Sequence, residues 1–425
     1  MTVTYLKQAL PRPVSENSDI RDIVRVMLSN IERGGEDAVR DYAVRLDGWT
    51  GAVVLSDAER QAACNRVPDE LKRDIRYAHA NIRTFAEAQK ATIQDCEVEV
   101  IPGLIAGQKQ IPVNAAGCYV PGGRYSHIAS ALMTITTAKV AGVRHITAVS
   151  PTRPETGIPD PIIYAMEVAG ADMILNLGGV QAIAAMAQGL FGCEPADILV
   201  GPGNSYVAEA KRMLFGEIGI DMFAGPTDSL IIADSSAETE TVSWDLVSQA
   251  EHGADSPVWL VTTDRALAEG VLARVDALID SLPEPNGPAA RVAWRERAEV
   301  ILCDTNEEAA TISDRYAPEH LQVMAADLDW WLERLTCYGS LFLGKETTVP
   351  FGDKISGPNH VLPTSGAARY TGGLSVHKFT KTVTWQRASE AASHELASRA
   401  ARISRFEGME GHARAAELRL KPRLV

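Results

Sequence analysis

The sequence predicts an α/β protein of parallel sheets and covering helices, finished by a helical C-terminal tail. Three observations carry this expectation. From Gly117 onward short β-type runs alternate with helical segments, the spacing that parallel strands with crossover helices require. Turn signals punctuate the alternation at Pro121-Gly122-Gly123, Gly178-Gly179, Gly201-Pro202-Gly203 and Gly225-Pro226. The 425 residues also exceed what one core usually supports, so two main domains are expected.

Along the chain, Asp19 to Leu46 carries Ile20, Ile23, Val24, Val26, Met27 and Ile31 at a helical rhythm, and Leu71 to Ala88 repeats it. A Glu- and Val-rich strand hairpin is expected around Cys96 to Val113. Strands are then expected at Cys118–Val120, His145–Val149, Met173–Leu177, Ile198–Val200, Ser229–Ile232, Val258–Thr262, Val300–Cys303 and Ser340–Leu343. After Phe379 the pattern reads as one charged helical tail, ending in Glu407 to Leu420. Being poor in large apolar residues, that tail has little to bury alone and fits either its own domain or a partner chain. No internal repeat or low-complexity linker marks a boundary.

Composition narrows the class. A hydrophobic fraction of 46% and a charged fraction of 23% are those of a soluble globular chain. A net charge of −14, with no local basic block, argues against nucleic acid. No signal-like segment opens the chain, and no stretch approaches the roughly eighteen apolar residues of a membrane span. The six cysteines (Cys64, Cys96, Cys118, Cys193, Cys303, Cys337) form no CxxC pair. They read as buried small hydrophobes in a reducing compartment, so a cytoplasmic protein is expected.

Two clusters carry chemistry. In Ser248-Gln249-Ala250-Glu251-His252-Gly253, at the end of a helix beginning near Glu238, Gln249 and His252 are three apart and share a helical face. Asp353 sits in a Gly-preceded turn, and His412 in a Gly-flanked one. Together they make a mixed nitrogen and oxygen donor set that zinc accepts. Taken singly, each also fits a solvated helix end or a turn cap, and spacing does not show that they converge. In the second cluster, Tyr316-Ala317-Pro318-Glu319-His320-Leu321, a proline precedes adjacent titratable side chains. Histidine is the usual base near neutral pH, and a neighbouring carboxylate can activate water. A second histidine, His360, follows Asn359 close to Asp353 and suits a substrate end group.

These segments resemble the histidinol dehydrogenase family, from Glu32-Arg33-Gly34-Gly35-Glu36-Asp37-Ala38 to Glu407…His412. The specific motifs are Val120-Pro121-Gly122-Gly123, Gly178 to Ala185, Gly201 to Val207, Ser248 to Gly253, Tyr316 to Leu321 and Gly357 to Pro363. The resemblance implies two partial Rossmann-like domains. A catalytic domain would span 1–116 and 226–365, an NAD domain 117–225, and residues 366–425 would reach a partner subunit. It implies zinc bound by Gln249, His252, Asp353 and His412, with His412 and the substrate contact Glu407 donated across a homodimer. It further implies Glu319 and His320 as the catalytic pair, and Tyr119, Gln181 and Asn204 as NAD contacts. His320 would take the alcohol proton, and Glu319 would activate water against the aldehyde. The usual GxGxxG fingerprint is absent, which counts against a conventional Rossmann alcohol dehydrogenase.

Three departures bear on substrate. Arg124-Tyr125-Ser126-His127 follows Pro121-Gly122-Gly123, where biosynthetic members carry small uncharged residues. Thr227-Asp228 replaces Ser-Glu, and Lys345 to Val349 replaces a Tyr-Thr-Pro-Glu pattern, with Lys354 after Asp353. Histidinol is cationic. A like charge about 4 Å away costs on the order of 4 kcal/mol at an effective dielectric of about 20. Arg124, with Thr227 and His360, is therefore expected to serve an anionic substrate, unless Arg124 faces solvent or the NAD pyrophosphate. The departures resemble the branch that oxidises (R)-2,3-dihydroxypropane-1-sulfonate to (R)-3-sulfolactate with two NAD. Oxidation of L-histidinol to L-histidine is the alternative, and a relative that binds metal or nucleotide without turnover is a third.

Overall fold

The computed structural model describes residues 3–11, 18–122, 127–223 and 225–420. The chain divides into two compact units, one of Met1–Ala88 with Val113–Phe379, the other of Gln89–Pro112 with Thr380–Val425. The first strands are β1 (Thr4–Lys7), β2 (Cys96–Ile101), β3 (Leu104–Pro112), β4 (Ala115–Tyr119) and β5 (His145–Val149). Then come β6 (Met173–Leu175), β7 (Ile198–Val200), β8 (Gly219–Ile220), β9 (Ser229–Ala233) and β10 (Val258–Thr262). The last are β11 (Glu299–Leu302), β12 (His320–Met324), β13 (Ser340–Leu343) and β14 (Thr380–Ala388).

In the first unit, β4 to β8 form a parallel sheet in the order β6-β5-β4-β7-β8. A six-stranded sheet follows the order β1-β11-β10-β9-β12-β13, parallel except for β1. Strands β4, β9 and β12 are buried along their whole length. Central parallel strands are covered on both faces, which is why most of them read as continuous apolar runs. The strand order reverses between β4 and β7 in one sheet and between β9 and β12 in the other. Such switch points leave crevices.

Helix Ser18–Tyr42 lays Val24, Met27, Ile31 and Val39 into one cluster with Leu175, Val180, Ile183 and Val207. Each fully buried aliphatic side chain is worth about 1.5–3 kcal/mol, so this face fixes the helix on the five-stranded sheet. The opposite face leaves Ile23 and Val26 exposed, so only part of the expected apolar rhythm serves the core. Helices Thr239–Ala250, Arg265–Asp280 and Asn286–Arg297 cover one face of the larger sheet. Helices Asn306–Tyr316 and Leu328–Arg334 cover the other, packing Ile312 and Trp331 on Leu230 and Leu321.

The second unit is an antiparallel sheet in the order β14-β3-β2 with helices Glu390–Phe406 and Glu410–Glu417. The region after Phe379 is therefore not helical throughout. Thr380–Ala388 is rich in threonine with Val383 and Trp385, residues that suit a pleated surface, and β14 pairs with β3 along nine positions. Ser389 then caps the next helix, its Oγ accepting from the Ala392 N–H at 3.2 Å.

All six cysteines are free thiols. Cys118, Cys193 and Cys303 are buried as expected, whereas Cys96 is exposed because β2 is an edge strand with little covering it. Among the described residues no helix is long and apolar enough to cross a membrane.

Candidate active site

The two sheets of the first unit face one cleft with opposite ends. The smaller sheet offers the carboxyl ends of β4 and β7, through Tyr119 and the Pro202-Gly203-Asn204 turn. The larger offers the amino ends of β9 and β12, through Thr227, Glu319 and His320. His252, Asp353, Lys354 and His360 complete a cleft of about 640 Å³.

The turn after β7 is fixed by sterics and by a buried charge pair. Gly201 has φ +112°, and a Cβ there would stand 2.0 Å from the Tyr119 carbonyl oxygen, so no side chain fits. Its N–H donates to Asp221 Oδ2 at 2.7 Å, and its carbonyl accepts from Lys211 Nζ at 2.9 Å. Lys211 and Asp221 are ion-paired and buried. Three residues on, Asn204 caps helix Ser205–Leu214, its Oδ1 accepting from the Tyr206 and Val207 N–H groups at 3.1 Å each. The Tyr119 hydroxyl accepts from the Gly179 N–H at 3.2 Å, and burial pushes this phenol up to about 12, so it stays neutral. Of the expected NAD contacts, Tyr119 and Asn204 line the cleft. Gln181 does not line it: it is 1% exposed and donates to Asp47 Oδ2 at 2.8 Å.

The expected acid–base pair, Glu319 and His320, enters through a strained turn. Ala317 ends helix Asn306–Tyr316 with φ +47°, a left-handed conformation that costs a non-glycine residue about 1–2 kcal/mol. It swings Pro318 and Glu319 into β12. Asp228 holds the result in place. Its Oδ1 accepts from the Glu319 N–H at 2.7 Å, and its own N–H donates to Glu319 Oε2 at 3.2 Å. Its Oδ2 accepts from the Ser365 N–H at 2.8 Å, and its carbonyl accepts from the His320 N–H at 3.2 Å. Asp228, Glu319 and His320 are all buried.

Charge around His320 is tightly arranged. Nδ1 lies 3.7 Å from Glu319 Oε2 and Nε2 lies 3.4 Å from Asp353 Oδ1, yet neither ring nitrogen makes a directed hydrogen bond among the described residues. Buried polar atoms are almost always bonded, so this ring stands open to a partner. Burial works against a charged ring here, but Glu319 and Asp353 outweigh it and raise His320 to about 9. Burial likewise raises the Glu319 carboxyl to about 8, reinforced by Asp228 and Asp353 and opposed by His320. Burial also opposes ionisation of Asp353, but His320 and the other imidazoles win and hold it well below the usual carboxylate range.

The expected metal donors are only partly gathered. His252 Nε2 lies 3.9 Å from Asp353 Oδ2, with burial keeping His252 below its usual value and hence neutral. A neutral imidazole beside an ionised carboxylate is what zinc accepts, and the two are close enough for one ion to reach both. Gln249 is buried nearby in sequence, its Oε1 accepting from Ser229 Oγ at 3.1 Å. Helix Thr239–Ala250 stops before His252, which stands in the following turn with its N–H on the Gln249 carbonyl at 3.3 Å. The pair thus spans the end of the helix, with Gln249 inside it and His252 in the turn that continues it. Among the described residues no three His, Cys, Asp or Glu side chains form a metal cage. His412 and Glu407 belong to the second unit, where both are exposed.

The remaining expected contacts divide. Thr227 and His360 line the cleft. His360 Nδ1–H donates to the Asp353 carbonyl at 2.9 Å and Nε2 accepts from Ser130 Oγ at 2.8 Å, fixing one neutral tautomer. Arg124 lies outside the described residues. Asp228 and Lys354 had counted only as departures bearing on substrate, and Ser130, which orients His360, had no weight in the sequence reading. The Thr227-Asp228 departure just before β9 was the one sequence signal that pointed to Asp228.

A family model described as "Histidinol dehydrogenase" matches residues 10–420. The chain is 62% identical over 420 residues to sulfopropanediol 3-dehydrogenase of Ruegeria pomeroyi, covering 99% of this chain and 97% of that one. It is 64% identical over 421 residues to a histidinol dehydrogenase homolog of the same organism, with the same coverage of both chains. Against histidinol dehydrogenase of Thermus thermophilus the identity is 40%, over 96% of both chains. Among solved structures, histidinol dehydrogenase of Elizabethkingia anophelis superimposes with a TM-score of 0.90 at 33% identity, covering 96% of this chain and 94% of that one.

Proposed function

The chain belongs to the histidinol dehydrogenase family, and from that premise we propose that it oxidises a small anionic diol through the aldehyde to the carboxylate, with zinc and two NAD. The substrate that fits best is (R)-2,3-dihydroxypropane-1-sulfonate, giving (R)-3-sulfolactate. The family is one of dehydrogenases, and the likeness to a sulfopropanediol enzyme along nearly the whole chain supports the substrate.

One observation carries the chemistry: a buried His320 with both ring nitrogens open, between Glu319 and Asp353, on the wall of the cleft. His320 takes the proton of the substrate hydroxyl as the alcohol is oxidised. The two carboxylates stabilise the imidazolium that results. Glu319, unprotonated, then takes a proton from the water that attacks the aldehyde carbon, and Asp228 keeps its carboxylate in position. Tyr119, Asn204 and the helix start at Ser205 frame the dinucleotide, whose phosphates suit a helix N-terminus. His252 and Asp353, joined by Gln249, would hold zinc. When bound, zinc polarises the substrate oxygens as a Lewis acid and NAD accepts the hydrides.

A homodimer completes the site. The second unit's own surface supports this, since Phe406 is 96% exposed and Ile403 61% on the helix that precedes Glu407 and His412. Apolar side chains so exposed favour a covering partner. In this reading His412 supplies the remaining zinc ligand and Glu407 a substrate contact across the interface.

Turnover settles the substrate. Zinc-loaded protein given dihydroxypropanesulfonate and NAD should release two NADH per diol, with a kcat/KM far above that for histidinol. The opposite preference would restore histidinol as the substrate, the reading that the 40% identity to the Thermus enzyme favours.

A further inference from the structure

We infer that Lys354 is the cation that receives the anionic end of the substrate, an inference resting on the proposed oxidation of an anionic diol. Lys354 closes helix Val349–Lys354 directly after Asp353, and it lines the same cleft as His252, Glu319 and His320. Asp353 turns inward and is buried, whereas Lys354 is exposed at the cleft, as consecutive residues of one helix point in different directions.

Asp353 faces His320 and His252 across the cleft. Among the described residues Lys354 is the only lysine or arginine lining the cleft, and no hydrogen bond or ion pair engages it there.

The cleft that it lines is walled by imidazoles from three separate segments: His127 precedes helix Ile128–Ala141, His252 follows helix Thr239–Ala250, and His360 lies in the segment after residue 357. Lys354 is exposed as well as cleft-lining, so its ammonium is accessible to a ligand entering that space. An ammonium there offers three donors to a tetrahedral oxyanion, and a sulfonate stays ionised throughout the working pH range. A cationic substrate such as histidinol meets repulsion at the same point.

The test compares K354M and K354R with wild type in the zinc-loaded enzyme. Four constants are read: KM for the sulfonate diol, KM for NAD, and inhibition constants for propane-1-sulfonate and propane-1,2-diol. K354M is expected to raise the two sulfonate constants about tenfold to a hundredfold, the worth of one charge-assisted hydrogen bond. The NAD and neutral-diol constants should stay within about twofold, and K354R should recover most of the loss. Unchanged sulfonate constants, a rise confined to NAD, or an equal rise in all four would overturn the assignment. If wild type prefers another alcohol, the same inhibition comparison is made on that reaction. The substrate reading can then fail while the anion subsite stands, or the reverse.

Discussion

Nε2 of His320 faces Oδ1 of Asp353 at 3.4 Å, while the other oxygen of that carboxylate faces Nε2 of His252 at 3.9 Å. One buried carboxylate thus joins the proposed base to the proposed metal ligand. Because His320 is raised to about 9, it is free to accept a proton only in alkaline solution. The rate of NADH formation from the alcohol should therefore climb as pH rises from about 7 toward 9. H320Q should remove that limb and lower kcat by about 10²–10⁴. An unaltered pH profile in H320Q would rule the ring out as the base.

Glu319 should serve the second oxidation alone. With its carboxyl raised to about 8, the aldehyde-to-carboxylate rate should also rise with pH, as the carboxylate form appears. E319Q should stop that step, so product analysis finds aldehyde and one NADH per diol in place of two. D228N puts an amide N–H against one of the backbone N–H groups that Asp228 now accepts. It should lower stability by about 1–3 kcal/mol in thermal melts and slow the aldehyde step more than the alcohol step.

Removal of the divalent ion should abolish turnover and leave the fold in place. A chelator followed by gel filtration should give inactive protein with an unchanged circular dichroism spectrum, and zinc should restore it. H252A should fail to retain zinc by elemental analysis. Full activity in metal-free protein would exclude zinc chemistry.

Donation of His412 across a dimer predicts complementation. H412A and H320Q are each expected to be inactive. Mixed and reassociated, they should regain roughly a quarter of wild-type activity, since half the dimers are mixed and each carries one complete site. No recovery would place His412 in the site of its own subunit.

The Lys211–Asp221 pair is expected to matter to stability out of proportion to its distance from the reacting groups. K211M leaves a buried Asp221 without its cation and should cost about 3–5 kcal/mol in denaturant unfolding. A double replacement by apolar residues should recover part of that loss, though the Gly201 groups lose their partners and KM for NAD rises.

Much of this was legible in the sequence, for identifiable reasons. His145–Val149, Ile198–Val200, Val258–Thr262 and Ser340–Leu343 appear at their expected bounds because each is an apolar run closed by turn residues. β12 was missed because His320 and Gln322 interrupt the apolar run; Gln322 donates to Asp245, a partner that a sequence does not display, and His320 is kept open for the site. The meeting of His320, Asp353 and His252 was known only through resemblance. They come from three elements far apart in the chain, and no local rule relates them. The antiparallel strand after Phe379 was hidden by its lysine, arginine and glutamine, which read as a solvated helix.

That strand has a kinetic consequence. The β2–β3 hairpin is complete at Pro112, but β14, which pairs the outer side of β3, is synthesised about 270 residues later. At about 5–20 residues per second the hairpin waits roughly 13–54 s on the ribosome with an unpaired edge. Glu97, Glu99 and Lys109 sit on the waiting ribbon. Charged side chains of this kind discourage edge-to-edge association between nascent chains, which gives residues outside the candidate site a role during synthesis.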